Sequence, residues 1–71
     1  MTTIIVYNLH PITTVYVLDL VYSRFGNIED IKLAYNYAMI TFENYNDAMN
    51  AIEATDGSWL DSRKLLVTLG N

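Results

Sequence analysis

The sequence predicts an α+β domain of order βαββαβ, in which a four-stranded antiparallel sheet carries both helices on one face. Three observations predict it. Four short runs rich in branched and aromatic residues alternate in the manner of half-buried strands. Two longer stretches between them show apolar residues at helical spacing. Turn and capping residues fall at the joints between these segments.

The first strand is Thr3 to Tyr7, with Ile4 and Val6 directed to the core and Ile5 and Tyr7 to the open face. His10-Pro11 ends it, because proline has no N–H to give to a ladder. Thr13 or Thr14 supplies a side-chain oxygen to cap a helix that runs to about Phe25 and stops at Gly26. Val15, Leu18, Val21, Tyr22 and Phe25 make its core face. Val15-Tyr16-Val17 has weak helix propensity, since branched and aromatic side chains lose rotamer freedom in a helix, so a strand competes locally. The helix is retained because Ser23-Arg24-Phe25-Gly26 makes a helix ending and because the strand count then closes.

Ile28 to Leu33 is the second strand, with Ile31 and Leu33 inward and Lys32 outward. Ala34-Tyr35-Asn36 turns the chain, asparagine being tolerant of left-handed backbone. Tyr37 to Phe42 alternates cleanly: Ala38, Ile40 and Phe42 inward, Tyr37, Met39 and Thr41 outward. Asn44 caps the second helix, Ala48, Ala51 and Ile52 face the sheet, and Asp56-Gly57 ends it. Lys64 to Leu69 is the last strand, with Leu65, Val67 and Leu69 inward and Leu66 and Thr68 outward.

Composition excludes several functions. At 71 residues the chain is one domain, residues 1–71. It has no cysteine, so disulfide and thiolate chemistry are excluded, and a single histidine, His10, does not make a metal site. No Ser-His-Asp set, nucleotide loop or metal spacing is present, and no cofactor or catalytic activity is expected. Glu29-Asp30 are adjacent carboxylates on a strand, pointing to opposite faces, and do not form an acid–base pair. No apolar run approaches the ~20 residues a membrane-spanning helix needs, so no membrane role and an intracellular location, nuclear or cytoplasmic, are expected.

Two segments carry a resemblance. Ile4-Ile5-Val6-Tyr7-Asn8-Leu9 and Tyr35-Asn36-Tyr37-Ala38-Met39-Ile40-Thr41-Phe42 resemble the RNP2 and RNP1 strands of the RNA recognition motif family. Phe25-Gly26, Asp47-Ala48, Ala51-Ile52 and Asp56-Gly57 also sit where that family has such residues, and the short uncharged turn at Ala34-Tyr35-Asn36 is similar to that of SR-type splicing factors. The resemblance implies a ferredoxin-like sheet whose exposed face binds weakly to single-stranded RNA. Tyr37 would stack on a base. Tyr7 is either a second platform or an ordinary strand residue. Ile5 and Met39 would pack against a base without offering a ring. Lys32 and Lys64 would neutralise phosphates. Ile5 stands where the family has an aromatic, and Tyr35 where it has a basic residue that pairs with phosphate.

The charge balance runs against an RNA ligand: four Lys and Arg face eight Asp and Glu, a net charge of −4. A second reading is therefore a protein-interaction module. It would use the same apolar face, or a partner or self-association surface of Tyr16, Val17 and Leu20 on the outer side of the first helix. The competing reading there is that Tyr16 and Val17 flank the core. Trp59 is expected to pack over the end of the second helix. A third reading is a designed sequence on this backbone with no selected ligand, which would keep fold positions while altering ligand positions.

Overall fold

The computed structural model describes residues 1–70. Strand β1 (Thr2–Tyr7) leads to helix α1 (Val15–Tyr22), which tightens into a 3₁₀ turn at Ser23–Phe25. Strands β2 (Ile28–Leu33) and β3 (Tyr37–Phe42) form a hairpin, followed by helix α2 (Tyr45–Thr55). The chain then makes a small hairpin of β4 (Trp59–Leu60) and β5 (Arg63–Lys64) before β6 (Leu66–Leu69) returns to the main sheet. The four-stranded sheet has the order β2-β3-β1-β6, with every neighbour pair antiparallel. The predicted architecture is the observed one.

The core lies between the sheet and the helices. Ile4 and Val6 of β1, Ala38, Ile40 and Phe42 of β3, Leu18 and Tyr22 of α1, and Ala48 and Ala51 of α2 are fully buried there. The two residue periods meet as required: alternate positions in the strands, positions three or four apart in the helices. Thr14, not Thr13, is the α1 cap, its hydroxyl accepting from the Val17 N–H at 3.2 Å. Thr13 is buried instead and donates to the Asp61 carboxylate at 2.6 Å, tying the start of α1 to the β4–β5 turn. Asn44 stands at the cap of α2, but its side chain donates to Asp47 rather than accepting from the helix backbone. Gly26 is required by close approach, because a β-carbon there would collide with the Asp47 side chain.

Several expectations are corrected. The last strand is not continuous from Lys64 to Leu69. The Leu65 N–H donates to the Ser58 carbonyl and its carbonyl accepts from Gly57, which detaches Arg63–Lys64 from the main sheet. Leu33 and Leu69 have inward parity, opposite Ala38 and Ile4, but both are exposed at the ends of edge strands that the helices do not cover. Val15, at the first turn of α1, is exposed where the helix stands away from β2. Trp59 does not cover α2; it is 70% exposed on the small hairpin. The β2–β3 turn closes on the Ala34 N–H to Tyr37 carbonyl bond without a left-handed residue. Left-handed backbone occurs at Asn8, at Gly57 and at the two-residue β4–β5 turn, Asp61-Ser62.

Among the described residues Tyr22 is the one large core side chain that brings a polar atom inside. Its hydroxyl donates to Thr55 Oγ1 at 3.0 Å, and Thr55 Oγ1 donates to the Ala51 carbonyl at 2.7 Å. Burial pushes the Tyr22 phenol up from its ordinary 10.0, with the Thr55 bond and Arg24 acting the other way. The folded state therefore holds this proton more tightly than the unfolded chain. Below about pH 10 both states are protonated and no stability depends on it. Above that pH the unfolded chain releases the proton first, so stability falls as pH rises. Tyr22→Phe is expected to cost about 1 kcal/mol near neutral pH and to flatten this alkaline decline. Urea unfolding from about pH 7 to pH 11 checks it; parallel slopes for the two proteins would refute the assignment.

Candidate nucleic-acid interface

The face of the sheet opposite the helices is open. Sheet register places its side chains in rows. Tyr7 lies opposite Tyr37 on one side and Leu66 on the other. Ile5 lies between Met39 and Thr68, and Lys32 follows on the far side of Met39. Thr3 lies opposite Thr41, which in turn faces Asp30. The middle of this surface is apolar, and its Thr3 and Thr41 hydroxyls are joined at 2.9 Å.

The two tyrosines form the centre. Their ring centroids are 6.1 Å apart with the planes tilted by 34°, and each residue is 39% exposed. The rings hold one another in place while leaving area for a ligand. A flat ring on a rigid strand offers a stacking surface with little ordering left to do. β1 and β3 are the two central strands, so the pair is carried on the best-supported part of the sheet.

Five of the seven residues singled out from the sequence come together on this face: Ile5, Tyr7, Lys32, Tyr37 and Met39. Two do not. Tyr35 stands exposed at the tip of the β2–β3 hairpin, beyond the ladder. Lys64 belongs to the two-stranded hairpin, opposite Trp59, and not to the four-stranded sheet. Asp30 was not among them, yet its carboxylate lies 4.0 Å from the Lys32 ammonium and competes with any phosphate for that charge. The alternation that puts Lys32 outward puts Asp30 outward as well, and the irregular register between Ile28 and Asp30 lies just before it.

The remaining cations do not gather on this face. The Arg24 guanidinium lies 4.9 Å above the Phe25 ring, on the helix side. Arg63 donates at 3.5 Å to the Asn8 side-chain oxygen and to the Leu9 carbonyl, while the Asn8 amide donates to the Lys64 carbonyl at 2.9 Å. These bonds fasten the end of β1 to the small hairpin. On the outer side of α1, Tyr16 and Leu20 are exposed and Val17 is half-buried. Among the described residues no helix is long and apolar enough to cross a membrane, and no cluster of potential metal ligands occurs.

The model of the RNA recognition motif family matches residues 4–66. The chain belongs to that family, whose domains are binding modules and not enzymes. The polyadenylate-binding protein, cytoplasmic and nuclear, of Eremothecium gossypii is 36% identical over 69 residues, a match that takes in 87% of this chain and 12% of that protein's length. Among solved structures, Pes4 RRM3 is similar with a TM-score of 0.95 at 32% identity, over 100% of this chain and 93% of that one. The RRM domain of S. pombe Puf1 gives 0.90 at 24% identity over 97% and 96% of the two chains. RNA recognition domains 1 and 2 of Drosophila melanogaster Sex-lethal give 0.95 at 22% identity over 100% and 50%. These last two show the fold alone.

Proposed function

We propose that this RRM domain binds single-stranded RNA, weakly, on the open face of its sheet. Tyr37 and Tyr7 stack on bases, Met39 and Ile5 pack beside them, and Lys32 meets a phosphate. The observation that carries this reading is the adjacent Tyr7–Tyr37 pair on the two central strands of a family whose name records RNA recognition. The similarity to a polyadenylate-binding protein supports an RNA ligand and, through that protein's two compartments, a nuclear or cytoplasmic location. The weakness follows from charge. Four cations face eight acids, and the one lysine on the face already has a carboxylate beside it.

Amide NMR spectra recorded with a degenerate pool of short single-stranded RNA at low salt test the reading. The expected result is shifts concentrated at Tyr7, Lys32, Tyr37 and Met39, fading as salt is raised. An unchanged spectrum under those permissive conditions would mean the face does not bind RNA. A second reading has a specific support: Ile5, Met39 and Leu66 make the face more apolar than a phosphate ligand requires. It is a protein-binding face, and its complex would survive high salt.

A further inference from the structure

We propose that a cleft between α1 and the edge strand β2, away from the RNA face, accepts an extended peptide segment of alternating basic and apolar residues as an added strand. The cleft is a shallow, open depression of about 540 Å³, lined by Val15, Tyr16 and Asp19 of α1 and by Ile28 to Ile31 of β2. Three features point to this occupant.

The first is backbone. β2 is an edge of the sheet, paired only with β3. The bond from the Ala34 N–H to the Tyr37 carbonyl fixes which residues are paired. In an antiparallel ladder the bonded residues alternate, so Lys32 and Asp30 bond toward β3 and Ile31 and Leu33 turn their N–H and C=O groups outward. An unpaired row of this kind is a template for another strand.

The second is apolar surface. Val15, Tyr16 and Leu33 are exposed on the two sides of this edge, Tyr16 at 72%. Alternate side chains of an added strand would fall against Val15, Tyr16 and Ile31, replacing the cover that α1 does not give. The third is charge. Asp19 lies on the helix wall, Glu29 and Asp30 on the strand wall, and no Lys or Arg lines the cleft. The Asp19 and Glu29 carboxylates beside an apolar floor, with the Asp30 carboxylate engaged by Lys32 on the other face, favour a cationic segment and disfavour RNA, so this surface and the tyrosine face select opposite charges. Neither reading depends on the other.

The test uses the intact domain and a capped nine-residue peptide alternating lysine with valine, followed by amide NMR, with a glutamate-for-lysine peptide as control. The expected result is shifts over Val15–Asp19 and Ile28–Leu33, slowed hydrogen exchange at the Ile31 and Leu33 amides, and no response to the glutamate peptide. Asp19→Lys with Glu29→Lys, both exposed and outside the core, is expected to weaken binding at least tenfold. Four outcomes would overturn the proposal: no shifts at millimolar peptide, shifts centred on Tyr7 and Tyr37, equal response to both peptides, or affinity unchanged in the double variant. A concentration-dependent mass without peptide, abolished by Tyr16→Ala, would also overturn it by making a second copy of the chain the occupant.

Discussion

Phe42→Ala is expected to lower the stability of the domain by about 3–5 kcal/mol. Phe42 is fully buried, sits at the end of β3 between the register partners Thr2 and Ile28, and joins the central strands to the helix layer. Removing its ring takes away apolar contact and leaves a cavity that rigid strands on both sides do not close. At about 0.05–0.15 kcal/mol per residue a domain of this length has only about 4–11 kcal/mol in total, so the loss is from roughly a quarter of it to all of it. Thermal unfolding should show a midpoint lowered by roughly 12–40 °C. Leu69→Ala is the informative comparison. Its parity is that of Phe42, yet it is 42% exposed, and its loss should cost under about 1 kcal/mol. Equal losses from the two substitutions would contradict the placement of the core.

That pair shows what the sequence expresses and what it does not. Alternation tells which face of a strand a residue occupies, and it does so correctly for Phe42, Ile40, Ile4 and Val6. It does not tell how far the helix layer extends over that face. Leu33 and Leu69 are inward by parity and exposed by position, because each ends an edge strand. Val15 differs at the helix: its spacing with Leu18 is helical, but it lies on the open depression between α1 and β2 and is exposed. The small hairpin was hidden because its signal is a left-handed turn made by Asp61-Ser62, residues without the glycine that marks such turns.

The candidate site was legible to the same degree. Period two and the RNP resemblance place Ile5, Tyr7, Tyr37 and Met39 together, since regular strands preserve parity. Lys64 was misplaced because the ladder is interrupted at Leu65, just after it, and Asp30 was passed over although it shares the parity of Lys32. Both bear on charge. One removes a cation from the sheet that carries the tyrosines, and the other brings a carboxylate to the lysine that remains.

Replacing both central rings, Tyr7→Ala with Tyr37→Ala, is expected to weaken RNA binding at least thirtyfold. Each base–aromatic stack contributes about 1–3 kcal/mol, so two lost stacks amount to about 2 kcal/mol at the least. Folding should survive, because both side chains lie on the open face and neither belongs to the buried core. The single variants carry the finer information. The rings are neighbours, so removing one also removes the support that orients the other, and the two losses should not add. Tyr37→Ala alone is expected to cost more than half of the double loss. Lys32→Ala should behave differently, lowering the slope of log affinity against log salt by about 0.7 while changing affinity little at high salt. Titrations by fluorescence anisotropy at two salt concentrations separate these effects. A double variant within threefold of the parent would remove stacking as the basis of recognition. Binding that survives it and ignores salt would instead fit a protein ligand held by Ile5, Met39 and Leu66, the apolar side chains that remain on the face.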